Sequence, residues 1–259
     1  MKKFSWQNVL GVIADMDGVV YRGEKSIKSA IKAIKIWNKK KIKICFLTNN
    51  SSKNQIEFKK KLERMDLKVD EKSIITTSVC VADYLANHYS KKTKIYIVGS
   101  KSLKKTILKK GFVIDENKAS IVISGLDENF SYNKLKTASN LIRNGAKLIG
   151  TNSDKIYPID DGFKPGAGSI IEAIKASSKL HECMFIGKPN PDFVLKAVKY
   201  LNIKRNNIVF IGDQLETDII AANQCNIYSI LVNTGLKNTN KKIKPNLIVN
   251  SLMELPISN

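Results

Sequence analysis

The chain has 259 residues, 43% of them apolar, enough to fill one large core or a core carrying a second, smaller one, and intrinsic disorder is excluded. No run approaches the roughly 18 apolar residues of a membrane span, so a soluble protein with no membrane partner is expected. The net charge of +21 would suit a nucleic-acid binder, but all 44 basic residues except Arg22, Arg64, Arg143 and Arg205 are lysines strewn among Ile and Asn, without interleaved aromatics, so specific nucleic-acid binding is not expected.

The opening MKKFSWQNVLGVIADMDG begins with lysines and turns apolar as a secretion signal would, but Asp15 and Asp17 interrupt the apolar run after a few residues. It reads as a first buried strand. In SIKSAIKAIKIWNKK, Ile27, Ala30, Ile31, Ile34 and Trp37 recur at three-and-four spacing, which predicts a helix with one apolar face. The strand IKICFLTNN and a polar helix over about 52–65 follow. The middle of the chain carries strand-like runs KIYIVGS, ASIVISG and AKLIGTN, with helices expected over about 102–110, 132–144 and 167–178. Near the C-terminus the alternation returns with CMFIG, a helix over about 192–201, NIVFIGD, a helix over about 216–225 and IYSILVNTG.

Strands alternating with helices of this length imply parallel pairing with helices on both faces, an α/β, Rossmann-like doubly wound sheet. The expected organisation is a core domain of 1–88 and 182–259 interrupted by a smaller α/β domain of 89–181. Cys45, Cys80, Cys183 and Cys225 form no C-x-x-C pair, and with only His88 and His181 they offer no zinc spacing. Free thiols in a reducing cytoplasm are expected, with Cys45, Cys80 and Cys183 as small core residues of apolar segments.

In open parallel sheets, ligands sit beyond the carboxyl ends of the strands, so polar residues that directly follow a buried run are the ones that matter. Four such places occur: Asp15-Met16-Asp17-Gly18, Thr48-Asn49-Asn50, Gly187-Lys188-Pro189, and Gly212-Asp213 with Asp218. Singly, each is explained by a turn, a helix cap or a strand end. Jointly they share one edge of one sheet, where Asp15, Asp17 and Asp213 would repel one another unless a cation holds them. Oxygen ligands with no nearby His or Cys point to a hard ion, and Mg²⁺ suits a site of few carboxylates alongside a phosphate.

Read in order as DMDGVVYRG, LTNNSS, IGKPNP and GDQLETDI, these motifs resemble the phosphatase branch of the haloacid-dehalogenase-like superfamily. Only 31 positions separate Asp17 from Thr48, whereas 140 separate Thr48 from Lys188, so the inserted domain falls between the second and third motifs. That placement, with GTNSDKIYP and GFKPGAGSIIEAI inside the insertion, is similar to the NagD-type phosphatases and their α/β cap. Ser153 departs from the proline more usual there.

The resemblance implies a phosphomonoesterase acting on a small soluble metabolite: a sugar phosphate, nucleoside monophosphate, phosphoglycolate or pyridoxal phosphate. Asp15 would be the nucleophile and Asp17 the general acid and base. Asp15 and Asp213 would bind Mg²⁺ through carboxylates and Asp17 through its backbone carbonyl. Thr48 with the amides of Asn49 and Asn50, at the start of a helix, would cradle phosphate, and Lys188 would neutralise its charge. Asp218 would orient Lys188 or a metal-bound water. Asn152 and Asp154 are candidate cap contacts to the leaving group, and the cap is a candidate homodimer contact. A phosphomutase and a non-catalytic, basic nucleic-acid-binding protein on the same scaffold are the alternatives. The acid at position 17 argues against a dehalogenase.

Overall fold

The structure is a computed structural model that describes residues 4–159, 162–235, 240 and 242–258. Six parallel strands form the larger sheet, in the spatial order Leu247–Val249, Tyr228–Val232, Ile208–Gly212, Gly11–Ala14, Lys43–Thr48 and Ile74–Thr76. From Gly11–Ala14 the chain works outward to one edge, and the C-terminal strands work outward to the other. The direction of winding therefore reverses between Gly11–Ala14 and Ile208–Gly212, and a reversal of this kind leaves a crevice beyond the carboxyl ends of the two strands.

Alternation within each strand divides the side chains between two cores. Val12, Ala14 and Phe46 pack on one face with the helix Lys28–Lys39, whose Ala30, Ile31, Ile34 and Trp37 are buried as the spacing predicts. Ile13, Cys45 and Leu47 enter the opposite core, with the helices Thr77–His88 and Pro191–Leu201. That second core continues into Ile95, Ile97, Ile123 and Ile149 of a five-stranded parallel sheet, ordered Met184–Phe185, Lys147–Gly150, Ile121–Ser124, Lys94–Val98 and Val113–Ile114. The helices Tyr132–Arg143 and Ala167–Ser178 cover its far face. One continuous apolar layer thus glues the two sheets together.

Four expectations are corrected. CMFIG, expected as a core strand, contributes Met184–Phe185 to the edge of the smaller sheet, so that sheet runs past position 181. The polar helix begins only at Gln55, because Asn54 caps it in a reciprocal box with Glu57, leaving 49–53 as a loop. The helix expected over 216–225 opens with a π turn over Leu215–Ile219 before Ile220–Gln224. Finally, Cys183 is only half-buried while Cys225 is fully buried, since Cys183 precedes a short edge strand and Cys225 closes a helix packed on the core; all four thiols are free. Among the described residues, no helix is long and apolar enough to cross a membrane.

Candidate active site

Asp15 immediately follows Gly11–Ala14, and its N–H donates to Ile211 O at 2.9 Å, which extends the ladder by one residue and sets it beside the end of the neighbouring strand. Asp213 follows that neighbour. The π turn then carries Asp218 back to the same point, where its Oδ2 accepts from the N–H groups of Asp213 and Gln214, both at 3.1 Å. A π turn widens the helix by one residue, a distortion frequent at functional sites. Carboxylate oxygens of Asp15, Asp213 and Asp218 consequently lie within 4.8 Å of one another, all three residues buried.

Lys188 bridges two of them, its Nζ 2.8 Å from Asp15 Oδ1 and 2.7 Å from Asp218 Oδ1. Burial alone would draw the ammonium toward neutrality, but these carboxylates outweigh it and hold its pKa above the ordinary lysine range. One ammonium does not balance the two carboxylates it touches. Burial accordingly pushes the Asp15 carboxyl upward, partly offset by Lys188 and reinforced by Asp218 and Asp17. Buried, oxygen-rich and negative, the cluster suits a divalent cation, which would relieve that repulsion.

Glycines make room for the cluster. Gly18 has φ +79°, a left-handed backbone that an L side chain rarely adopts, and any Cβ there would overlap Asp213. A Cβ at Gly235 would overlap Asp213 as well. Gly235 belongs to the loop after Tyr228–Val232, where Thr234 Oγ1 donates to Gly18 O at 2.6 Å and Arg22 donates to Thr234 O. This clamp was not anticipated, although N-T-G stands directly after an apolar run at the same sheet edge, the signal that marked the other four loops.

Asp17 lines the cleft but stands apart from the carboxylate cluster; its Oδ2 accepts from Tyr21 at 3.2 Å. Burial raises its pKa, opposed by Lys61 and by the Tyr21 bond. Thr48 ends the strand Lys43–Thr48 and Asn49 follows it, both buried, and the N–H of Asn50 donates to Thr48 Oγ1 at 3.1 Å. The amides of Asn49 and Asn50 lie in the loop before the helix Gln55–Arg64, not at its N-terminus, because the Asn54 cap fixes the start later.

Asn49 is the junction between the two sheets. Its Oδ1 accepts from Lys188 N at 2.8 Å, and its Nδ2 donates to Lys188 O and Asp154 Oδ2, both at 3.1 Å. Its carbonyl accepts from Thr77 Oγ1 at 2.9 Å and from Asn152 Nδ2 at 2.6 Å. Asn152 is thus buried and spent on this bond and on Asp154 N, whereas Asp154 keeps its Oδ1 without a hydrogen-bond partner. Burial, only partly offset by the Asn49 bond, pushes the Asp154 carboxyl up to about 6.

All ten residues singled out from the sequence gather at this edge, and Leu126, Ile156, Tyr157, Gly166, Ala167, Gln214 and Thr217 complete the cleft. Most of these additions come from the smaller sheet's loops and from the antiparallel hairpin of Ile156–Ile159 and Gly162–Pro165. Gly166 and Gly168 let the start of the helix Ala167–Ser178 lie against the backbone of Ser153 and Asp154, which fixes the loop that bears Asp154.

Residues 12–113 match the profile of the haloacid dehalogenase-like hydrolases, and residues 185–255 match a second, HAD-hydrolase-like profile. An acid sugar phosphatase of Staphylococcus saprophyticus is 33% identical over 231 residues, covering 89% of this chain and 88% of that one. A 5'-nucleotidase of Bacillus subtilis is 29% identical over 248 residues, covering 94% and 96%. The crystal structure of a 4-nitrophenylphosphatase from Thermotoga maritima superposes with a TM-score of 0.88 at 30% identity, covering 96% of this chain and 97% of that one. With the four motifs at one sheet edge and these matches along nearly its whole length, the chain belongs to the haloacid dehalogenase-like hydrolases, in their NagD-type phosphatase branch.

Proposed function

We propose that this protein is a Mg²⁺-dependent, cytoplasmic phosphatase that hydrolyses a small phosphomonoester through an aspartyl-phosphate on Asp15. The observation that carries the reading is the buried triad of Asp15, Lys188 and Asp218, with Asp213 within reach. A nucleophilic carboxylate, a fixed ammonium and an oxygen-ligand set meet there, as phosphoryl transfer to an aspartate requires.

Asp15 and Asp213 would hold Mg²⁺ with their carboxylates and Asp17 with its backbone carbonyl. An ion held by these residues would supply positive charge to offset the nucleophile and the phosphoryl oxygens. An Asp15 carboxylate oxygen attacks phosphorus, and the bond to the leaving oxygen breaks as Asp17 gives that oxygen its proton. Asp17, whose pKa is raised by burial, keeps that proton at higher pH than an exposed carboxyl would. It then takes a proton from the water that cleaves the acyl phosphate. Lys188 balances charge on the transferred group, Asp218 holds Lys188, and the Thr48 hydroxyl with the amide of Asn49 receives the phosphoryl oxygens, while the Asn50 N–H holds the Thr48 oxygen in place. Sugar phosphates and nucleotides are the candidate esters, in keeping with the names of the relatives.

Release of phosphate from p-nitrophenyl phosphate in the presence of Mg²⁺ tests this reading. EDTA and Asp15→Asn should each abolish it, and unchanged turnover in Asp15→Asn would remove the nucleophile.

A further inference from the structure

Tyr21 is fully buried behind the cleft, and its hydroxyl donates at 3.2 Å to Oδ2 of Asp17, which lines the cleft. The two residues share one tight turn. Tyr21 O accepts from Gly18 N at 2.7 Å and Tyr21 N donates to Met16 O at 3.2 Å, so the backbone fixes ring and carboxylate together. Over the ring, 3.7 Å from its centroid, stands Nζ of Lys61, itself buried. Lys61 reaches there from the helix Gln55–Arg64 and is held by Gly23 O at 2.6 Å and by Glu24 at 3.4 Å, in the turn between the short strands Tyr21–Arg22 and Lys25–Ser26. A buried lysine stacked on a buried phenol is a costly arrangement to build into a mere packing surface, and a cation over the ring face strengthens the hydroxyl as a donor.

We infer that Tyr21, backed by Lys61, is a positioning residue for Asp17: by occupying Oδ2 it leaves Oδ1 as the oxygen that carries the proton to the leaving group. Tyr21 keeps its own proton throughout. The Asp17 proton passes from Oδ1 to the ester oxygen as the P–O bond breaks, and the bonding pair stays on that oxygen. Without the hydroxyl, Asp17 can rotate and share the proton between its two oxygens. The inference rests on Asp17 being the general acid, as proposed above.

That role matters in proportion to how badly the leaving group needs a proton. An alkoxide needs one, and p-nitrophenolate leaves without. The test therefore compares kcat/KM, which reports ester cleavage and not the later breakdown of the acyl phosphate common to all esters, on glycerol phosphate and on p-nitrophenyl phosphate for the wild type, Tyr21→Phe, Lys61→Met and Asp17→Asn. In Tyr21→Phe, which keeps the ring, the alkyl-to-aryl ratio of kcat/KM should fall on the order of tenfold. Lys61→Met, which keeps the stem, should lower the ratio in the same direction by less. An equal loss of kcat/KM on both substrates would reduce Tyr21 to packing and overturn the inference. Asp17→Asn separates the two levels. A lowered ratio there with an unchanged ratio in Tyr21→Phe refutes only the positioning role, and an unchanged ratio in Asp17→Asn refutes the general acid and the inference with it.

Discussion

Lys188 and Asp218 form a fully buried ion pair, Nζ to Oδ1 2.7 Å, in which the aspartate is anchored from behind by two backbone N–H groups. The ammonium therefore cannot follow Asp15 outward without leaving Asp218 behind. It is a fixed charge, and it sits where a transferring phosphoryl group would need one.

Lys188→Met keeps much of the stem and removes the charge. It should lower kcat on the order of 10²–10³-fold, because a preorganised cation is lost from a closed site. Stability should fall by about 3 kcal/mol, since carboxylates remain buried without their partner. Steady-state kinetics and urea denaturation check the two effects, and added divalent ion should recover part of the second.

Gly235→Ala forces a methyl group into Asp213. Asp213 must then move, and the divalent-ion dissociation constant should rise by on the order of tenfold or more. Isothermal titration with Mg²⁺ measures this directly. An unchanged constant would show that Asp213 is not needed for the ion.

Asp154 predicts a pH effect on stability. Its carboxyl is raised to about 6 in the folded protein by burial, against roughly 4 for a free one. The folded state thus holds the proton more tightly, so this contribution to stability is complete below about pH 4 and is lost as pH rises to about 6. In chelator-treated protein, Asp154→Asn should flatten the decline over that window. At pH 8 the variant should match or exceed the wild type by on the order of 1–2 kcal/mol. A variant less stable than the wild type at pH 8 would contradict the burial argument.

Asn152 and Asp154 should separate in their kinetics. Asn152→Ala removes a donor from the Asn49 carbonyl and should cost about 1–2 kcal/mol of stability while slowing every substrate by a similar factor. Asp154 keeps an unpartnered oxygen at the cleft. Asp154→Ala should therefore change the ranking within a panel of phosphate esters, and an unchanged ranking would remove it as a leaving-group contact.

The winding of the larger sheet and the site at its carboxyl edge were legible because apolar runs ending in Asp15, Thr48 and Asp213 carry both messages in the same few residues. The smaller sheet's strands near Ile95, Ile123 and Ile149 were legible for the same reason. The run CMFIG was misplaced because strand partners are chosen in three dimensions, and an apolar pair such as Met184–Phe185 fits either sheet equally well. The late helix start at Gln55 was hidden because TNNSSKN offers several good caps, of which the one used is Asn54, with Glu57 three residues on. Gly235 carried the same signal as the other loops and was passed over, because a glycine after a strand also looks like a turn, whereas Tyr21 and Lys61 carry no pattern of their own: a tyrosine after an apolar pair looks like core and a lysine in a polar helix looks like surface. Their meaning comes from what long-range packing sets beside them.

Phe185 is woven into the smaller sheet, Gly187 N donates to Thr151 O at 2.8 Å, and Lys188, the very next residue, is seated in the larger sheet's acidic lip. With the Gly187 attachment directly before Lys188, the smaller sheet cannot shift far without displacing a lysine that Asp15 and Asp218 hold, so the spacing of the two sheets and the place of that positive charge are set together.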